Sequence, residues 1–247
     1  MTNETPVAYY VQVAETLKSR IRSRQYRPGA LIPPEKELEK EFGVSNITIR
    51  KALDLLVRDG YVVRRRGVGT RVRERVEPKI PLQITGNFYD WVDSATKGDQ
   101  RLEVEVLDMG EASCPARVAE ILGTKRDEST WRLRRVRRLA GEPLSLYINY
   151  VPIKWAKLLE GADFTKKTFL EIFQELTGNV IKRIEQRVEA TTADMDTSAI
   201  LNVFFGAPLF FVENIYAGAL GDPLEVTHMY FRGDRYIYYN VTEINPS

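Results

Sequence analysis

Apolar positions repeat every fourth residue near the start of the chain. Val13, Leu17 and Ile21 share one side of a helix if residues 10–24 are helical, because one turn takes about 3.6 residues. A Tyr-Arg-Pro-Gly sequence at 26–29 then ends the helix, since proline cannot continue it and glycine supplies the turn. The pattern predicts an amphipathic first helix.

Two further helical patterns follow at short intervals. Residues Pro33–Glu35 predict the start of a second helix, which Gly43 ends, because proline fits the first turn and a carboxylate suits the positive end of the helix dipole. Ser45 is the predicted N-cap of a third helix. Ile49 and Leu53 lie at helical spacing and predict its buried side, which leaves its first turn exposed.

A basic β-hairpin completes the N-terminal part of the chain. A strand pattern, a glycine turn and a returning strand follow the third helix over residues 61–72. Three helices and a hairpin in this order predict a winged helix-turn-helix. Its third helix would present side chains to the DNA major groove, and Arg64, Arg65 and Arg66 would contact phosphates or a minor groove. A solvated arginine face is the alternative for the hairpin.

The remaining residues alternate between strand patterns and short helical patterns. Residues 73–81 are charged and contain proline, so they predict a linker between a winged helix-turn-helix domain over 1–75 and a second domain over 76–247. Strands are predicted at 102–109, 131–139, 144–151, 181–190, 209–217, 224–231 and 236–243. Helices are predicted at 115–122, 153–159, 168–177 and 196–203. Mostly antiparallel strands with scattered helices indicate an α+β fold.

The formal net charge of +2 conceals an uneven distribution. Residues 1–76 contain 16 basic and 9 acidic side chains and carry +7, whereas the rest contains 20 basic and 25 acidic side chains and carries −5. A basic first part suggests a polyanionic partner. A chance surface imbalance is the alternative.

A single cysteine and a single histidine restrict the possible chemistry. Cys114 has no partner for an internal disulfide and no basic cluster beside it, so we expect an inert thiol. His228 lies in a predicted strand and is expected to be structural. One histidine argues against a histidine-cluster metal site, while an all-carboxylate site stays open. No metal or cofactor is expected.

The expected location is the cytoplasm. No apolar run approaches the roughly 20 residues that a membrane span needs. The first six residues lack the basic-then-apolar layout of a secretion signal. A lone cysteine also fits a reducing compartment.

Short motifs in the first seventy residues resemble the GntR family of bacterial regulators. They are Tyr10–Ala14, Tyr26–Gly29, Pro33–Leu38, Phe42–Ser45, Thr48–Leu53 and Gly67–Thr70. The resemblance implies a homodimer that binds a pseudo-palindromic operator, usually as a repressor. The DNA-contacting residues that it implies are Lys36, Ser45, Asn46, Ile47, Arg50, Arg66 and Gly67. From their positions in the third helix and the hairpin, Thr48, Arg64 and Arg65 join this predicted set.

Two positions depart from the family pattern. Pro34 stands where the family usually has serine, so a helix-capping hydroxyl is lost. Asn46 stands where arginine is common. Arginine favours guanine, while asparagine suits the N6/N7 edge of adenine. We therefore expect an operator that is altered at this position.

The second domain carries motifs similar to the effector-binding domain of the HutC subfamily, the UTRA domain, which shares its fold with chorismate lyase. They are Arg135–Arg137, Gly141–Leu144, Asp163–Thr168, Gly206–Leu209, Gly221–Glu225 and Tyr230–Tyr236. The resemblance covers about residues 80–243. It implies a mixed α/β, mostly antiparallel, chorismate-lyase-like domain that binds a small-molecule effector.

The same resemblance implies an anion site. In sugar-phosphate-sensing relatives, the positions matching Arg135, Arg137 and Thr168 hold a phosphate or carboxylate, and the one matching Glu225 contacts polar ligand groups. Strand alternation places Arg135 and Arg137 on one face, where two guanidinium groups can clamp an anion. The alternative is that both arginines face solvent or pair with glutamates of a neighbouring strand.

Aromatic residues alter this picture of the effector. Relatives usually have glutamate where this chain has Tyr147, and small hydroxyl residues near the segment 88–91, in which Tyr89 is the predicted ligand contact. These rings suggest an apolar or aromatic carboxylate rather than an amino-sugar phosphate. The alternative is that the rings belong to the core.

Three functions compete for the whole chain. The first is a DNA-binding transcriptional regulator whose operator affinity is controlled by a small anionic metabolite. The second is an enzyme, because the implied fold is that of a lyase and fold does not determine function; the sequence shows no nucleophile–base motif, metal-ligand cluster or glycine-rich phosphate loop. The third, an architectural DNA binder, leaves the second domain unexplained. We expect the first function and no enzymatic activity.

Overall fold

A computed structural model describes residues 7–74, 80–82, 103–125 and 128–239. The chain divides into two compact units, Met1–Pro78 and Lys79–Ser247. The predicted domain boundary at residues 75 and 76 lies outside the described residues and stays a prediction.

The N-terminal unit contains the predicted three helices and hairpin. Its elements are α1 (Tyr9–Arg22), α2 (Glu35–Phe42), α3 (Asn46–Arg58), β1 (Val62–Arg65) and β2 (Gly69–Val72). The two strands pair antiparallel, with Arg65 opposite Gly69. Gly67 between them has a φ of 78°, a left-handed conformation that glycine adopts without a steric penalty. This arrangement confirms the predicted winged helix-turn-helix.

One hydrophobic core holds this unit together. Leu17 of α1, Leu38 of α2 and Leu53 of α3 are almost completely buried in it, together with Val62 and Val72 of the hairpin. Burying an aliphatic side chain of this size contributes about 1.5–3 kcal/mol. One side of α3 packs in this core, so the other side of its first two turns faces solvent.

A six-stranded sheet forms the centre of the C-terminal unit. Its strands are β4 (Glu103–Ser113), β5 (Ser129–Leu139), β6 (Glu142–Pro152), β7 (Arg183–Thr192), β8 (Pro208–Ala217) and β9 (Pro223–Arg232). They lie in the order β4-β5-β6-β9-β8-β7. Every neighbouring pair is antiparallel, which confirms the predicted α+β fold.

A small second sheet corrects the predicted linker. β3 (Ile80–Leu82) pairs in parallel with β10 (Tyr236–Tyr238). The end of the predicted linker at 73–81 is therefore a strand of the C-terminal unit. Three residues carry too short a pattern to be recognised, and the partner strand lies near the other end of the chain. The predicted strand at 236–243 is described only up to Tyr239.

Short helices pack on both faces of the large sheet. They are α4 (Ala116–Leu122), α5 (Ala156–Leu159), α6 (Phe169–Thr177) and α7 (Met195–Leu201). Phe173 of α6 packs with Trp131 and Leu133 of β5, whereas Leu201 of α7 packs with Val136. Odd and even residues of a strand point to opposite faces, so α6 and α7 cover opposite faces. Among the described residues, no helix has the length and apolar character to cross a membrane.

Candidate functional site

The first turn of α3 is the predicted DNA-contacting surface. Ser45 caps the helix: its side-chain oxygen accepts from the Thr48 backbone N–H at 3.4 Å and lies 3.0 Å from Thr48 Oγ1. Ile47 is 68% exposed, and Arg50 one turn further is exposed. Lys36 is exposed in the first turn of α2. The cap defines where the helix begins, and the side chains around it are accessible to a ligand.

Two glutamates of α2 hold the polar side chains of this turn. Asn46 Nδ2 donates to Glu39 Oε1 at 2.6 Å and to Glu35 Oε2 at 3.2 Å. Arg50 Nε donates to Glu35 Oε2 at 2.9 Å. The hydrogen bond from Arg50, helped by the one from Asn46, keeps the pKa of Glu35 below its usual value. Sequence reasoning missed this acidic pair, although Glu35 and Glu39 lie one helical turn apart.

The acidic pair determines which atom of Asn46 is available to DNA. A carboxylate only accepts hydrogen bonds, so the amide nitrogen faces the two glutamates. Among the described residues, Asn46 Oδ1 accepts no hydrogen bond. The sequence predicts contact with adenine through both amide atoms. That contact requires Nδ2 to leave Glu39.

The three hairpin arginines predicted to contact DNA, Arg64, Arg65 and Arg66, have different surroundings. Arg64 Nη1 donates to Asp54 Oδ1 at 2.5 Å, and its Nη2 donates to the Arg50 carbonyl at 3.3 Å. Arg64 therefore ties β1 to α3. Arg65 and Arg66 are exposed, and their side chains have no partner within the described part of the chain. Those two side chains are the ones available to phosphate.

A groove beside the hairpin adds cations that the sequence reasoning did not include. A cavity of about 470 Å³ is lined by Val63, Arg65, Val68, Arg71, Val72, Arg73 and Glu74. Arg71 Nη1 donates to the Gly29 carbonyl at 2.5 Å, which anchors it to the loop after α1. Arg73 is exposed. The groove thus extends the basic surface from the hairpin tip along β2.

A buried arginine lies on β5, the second strand of the C-terminal sheet. Arg135 of β5 is 6% exposed. Its Nη2 donates to Asn149 Oδ1 at 3.1 Å and its Nη1 donates to the Phe164 carbonyl at 3.3 Å. Its Nε is buried without a hydrogen-bond partner among the described residues. Burial, followed by the charge of Arg137, lowers the pKa of Arg135 to about 10, so the group is cationic at neutral pH.

A buried carboxyl group belongs to the same cluster. Glu225 of β9 accepts from Asn149 Nδ2 at 2.9 Å and also from the Thr227 hydroxyl. Burial raises the pKa of Glu225 to about 7, which favours the protonated form more than in a free carboxyl. Among the described residues, no ion pair joins Arg135 to a carboxylate. Glu225 interacts with Arg135 electrostatically without a direct ion pair, so the guanidinium is a buried charge with no directly bonded counter-ion in the described part of the chain, which is costly.

Further polar side chains extend this cluster across the sheet towards β7. Asn149 Nδ2 also donates to Thr227 Oγ1 at 2.9 Å. The Thr227 hydroxyl is in turn hydrogen-bonded to the side chain of Tyr216. Asn214 Nδ2 donates to the Tyr216 hydroxyl at 2.9 Å, and Gln186 Nε2 donates to Asn214 Oδ1 at 2.8 Å. A row of hydrogen-bonded side chains therefore runs from Arg135 in β5 to Gln186 in β7.

Arg137 and Tyr147 lie beside the buried arginine. Tyr147 is opposite Arg135 in the register of β5 and β6, and Arg137 Cζ lies 4.3 Å from its ring centroid. The ring also meets Phe231 edge-on, with centroids 5.7 Å apart. Tyr147 is therefore part of the core and holds Arg137 by a cation–π contact. Its predicted contact with the effector stays a prediction.

Thr168 caps α6 at the loop that reaches Arg135. Its hydroxyl donates to Glu171 Oε2 at 2.7 Å and accepts from the Glu171 backbone N–H at 3.3 Å, a capping box. The Phe164 carbonyl in the same loop contacts Arg135. Thr168 thus ends the loop that contacts Arg135 through the Phe164 carbonyl, while the Thr168 hydroxyl is occupied by the cap. Tyr89, the remaining predicted effector contact, lies outside the described residues.

Three other arginines of β5 pair with carboxylates of the neighbouring strand, the arrangement that the sequence left open for Arg135 and Arg137. Arg132 Nη2 and Arg134 Nε donate to the two oxygens of Asp108 in β4, at 3.0 and 2.6 Å. Arg138 Nε donates to a glutamate of β4 at 2.6 Å. Pairing with a neighbouring strand therefore describes these three arginines. It does not describe Arg135.

The single histidine lies on the opposite face of the sheet. His228 Nε2 is 3.2 Å from Glu213 Oε2, and Glu213 also accepts from Arg117 Nη2 at 2.7 Å. Burial lowers the pKa of His228. In the part of the chain that the structure describes, no group of three His, Cys, Asp or Glu side chains could hold a metal ion. His228 thus contacts the ion pair of Arg117 and Glu213, and its structural role stays a prediction.

Family models of known proteins match each of the two units. The family model described as bacterial regulatory proteins, gntR family, matches residues 9–72, and the UTRA domain model matches residues 98–237. The chain is 27% identical over 242 residues to the HTH-type transcriptional repressor NagR of Bacillus subtilis, covering 96% of each chain. It is 30% identical over 229 residues to the HTH-type transcriptional regulator Rv0792c of Mycobacterium tuberculosis, covering 91% of this chain and 82% of the relative.

A solved structure supports the fold. The crystal structure of PhnF from Mycobacterium smegmatis aligns with a TM-score of 0.59 at 21% identity, covering 94% of this chain and 100% of that one. Both sequence relatives are named as regulators of transcription rather than as enzymes.

Proposed function

We propose a ligand-controlled repressor, from the premise that the chain belongs to the gntR family of bacterial regulatory proteins. It is a transcriptional regulator with a DNA-binding helix-turn-helix and a UTRA effector domain. The proposal adds three properties. The chain acts as a homodimer, it represses, and a small anionic metabolite bound at Arg135 controls its affinity for operator DNA.

The observation that carries the anionic effector is the buried guanidinium of Arg135, which has no directly bonded counter-ion among the described residues. Its guanidinium is buried, its Nε has no partner among the described residues, and burial raises the pKa of the nearby Glu225, which makes no ion pair with it. A carboxylate or phosphate oxygen would accept a charge-assisted hydrogen bond there and supply the missing counter-charge. Arg137, held over Tyr147, adds a second cation to the same region.

The proposed DNA contacts lie on two elements of the N-terminal unit. Ile47 and Arg50 on the exposed side of α3 would face the major groove, and Arg65 and Arg66 of the hairpin would bind phosphate. The net charge of +7 over residues 1–76 supports the polyanionic partner. Repression is proposed because the Bacillus subtilis relative is named a transcriptional repressor.

Fluorescence polarisation on DNA from the region upstream of the gene tests the proposal. We expect tight binding that weakens with salt, and a further change of about 5- to 150-fold on adding the right carboxylate or phosphate ester, which corresponds to about 1–3 kcal/mol of coupling. The Arg135→Gln variant should bind the same DNA and lose the response. If anions that raise the melting temperature of the wild-type chain leave its DNA affinity unchanged, ligand control is wrong.

A further inference from the structure

The β-hairpin of the N-terminal unit has two faces with different surroundings. Successive residues of a strand point to opposite faces, and Val62 and Val72 face the hydrophobic core. Val63 therefore points away from the core, as does Arg71, which lies opposite it in the register. Arg73 continues this alternation, because its N–H donates to the residue before β1 at 2.9 Å. This outward face lines the groove of about 470 Å³ beside the hairpin.

Three guanidinium groups line this groove. The side chains of Arg65 and Arg73 are exposed and have no partner in the described part of the chain. Arg71 donates to the Gly29 carbonyl, a neutral acceptor that leaves the positive charge of Arg71 uncompensated. Among the described residues that line the groove, Glu74 is the acidic one. The groove therefore carries three positive charges against one negative charge, which favours an anionic occupant.

The arginines are spaced to follow a DNA strand. Arg65, Arg71 and Arg73 lie at successive levels of the hairpin, from its tip to its base. The Cα atoms of Arg71 and Arg73 are about 7 Å apart, because an extended chain rises about 3.4 Å per residue. Each strand of B-DNA carries one phosphate for about 3.4 Å of helix axis. Two such side chains can therefore reach phosphates two positions apart on one strand.

The shape and position of the groove favour DNA over a small molecule. A small-molecule site usually encloses most of the surface of its ligand, whereas this groove lies along one face of a two-stranded hairpin and two of its arginines are exposed. It is continuous with Arg66 at the hairpin tip, a proposed phosphate contact. Arg64, on the opposite face, contacts α3. DNA at the groove would therefore lie beyond the base pairs that α3 contacts.

We propose that Arg71 and Arg73 bind phosphates of the duplex that flanks the operator, outside the base pairs contacted by α3. This inference rests on the proposed DNA contacts of α3 and the hairpin tip and extends them. Phosphate contacts carry no sequence information by themselves, so the flanking contact adds affinity that depends on duplex length and on salt. Glu74 weakens this contact, because it places a negative charge beside the phosphates.

The affinities for two duplexes test the flanking contact. Both duplexes contain the same operator, selected from a randomised library, and one is extended on one side by about 10 base pairs, one helical turn. Fluorescence polarisation measures binding to both in a salt titration. Two further phosphate contacts should make the slope of log K against log salt steeper by about 2 for the extended duplex. The preference for the extended duplex should therefore fall about tenfold between about 50 and 200 mM salt.

Single substitutions assign the effect to the groove. Arg73→Gln should remove about half of the difference in slope between the two duplexes. Glu74→Gln should strengthen binding to the extended duplex more than to the short one. Arg22→Gln is the matched control, because it removes the same charge at an exposed position in the last turn of α1. It should leave the difference in slope unchanged, and Arg73→Gln should weaken binding to the short duplex no more than this control does. Melting temperatures check that each variant is folded.

Three outcomes would overturn the proposal. If the wild-type chain shows the same slope on both duplexes, it makes no flanking contact, although tight binding to both would leave the proposed contacts of α3 and the hairpin tip intact. A chain that binds neither duplex would overturn those contacts as well. If pyrophosphate raises the melting temperature of the wild-type chain but not of Arg73→Gln, and duplex length has no effect, the groove is a small-anion site instead.

Discussion

Replacing Glu39 by alanine tests how α2 controls base recognition by α3. Asn46 Nδ2 donates to Glu39 at 2.6 Å and to Glu35 at 3.2 Å. To bind the N6/N7 edge of adenine with both amide atoms, Asn46 must give up the shorter bond. A hydrogen bond to a charged group contributes about 1.5–3 kcal/mol, and these side chains are only half-buried, so the low end applies. Glu39→Ala removes this competing hydrogen bond, worth about 1.5 kcal/mol. The affinity for adenine relative to cytosine at the contacted position should therefore rise about tenfold.

The assay compares the ratio of affinities for different bases at one DNA position between protein variants. Duplexes are selected from a randomised library, and single-base variants of the selected sequence are measured by fluorescence polarisation. In the wild-type chain, Asn46 Oδ1 can accept from the amino group of adenine or of cytosine, so both bases should be tolerated at the contacted position. Glu39→Ala should narrow that preference to adenine.

The control variant is Glu37→Ala, on an exposed position of the same helix. Both variants remove one negative charge near DNA and should strengthen binding to all sequences by a similar factor. Only Glu39→Ala should change the ratio of affinities for adenine and cytosine. An unchanged ratio would show that Glu39 does not compete with DNA for Asn46, and this reasoning about the acidic pair would be refuted.

Three further predictions concern single side chains. Arg66→Ala should weaken binding to all DNA sequences and reduce the slope of log K against log salt by about 1 in a salt titration, without changing the melting temperature. Ser45→Ala should lower the free energy of unfolding by about 0.5–2 kcal/mol in urea titration, since Thr48 N–H loses its cap. Burial raises the folded pKa of Glu225 to about 7. Protonation of this carboxyl therefore adds to the free energy of unfolding below pH 4.5, and this stabilisation is lost as pH rises towards 7. Melting temperatures from pH 4 to 8 should show this fall in the wild-type chain and a smaller one in Glu225→Gln.

The pattern of residues along the chain was sufficient for the elements with strong local signals. The Ser45 side chain caps α3 by accepting from the Thr48 N–H, and Gly43 takes the left-handed conformation that ends α2. Repeating apolar positions mark the buried side of a helix or strand regardless of its partner. For this reason the winged helix-turn-helix and the antiparallel character of the second unit were both predictable.

Tertiary structure alone decided which side chains meet. Alternation placed Arg135 on a face of β5 but could not show that this face is buried against Asn149 and the Phe164 carbonyl. The pairing of Ile80–Leu82 with Tyr236–Tyr238 joins segments from the two ends of the second unit, and no local pattern encodes such a contact. Periodicity depends on neighbours within a few residues, whereas strand order is set by the packing of the whole sheet. That is why the sequence predicted the two units and only the fold revealed that Arg135 is buried within the sheet.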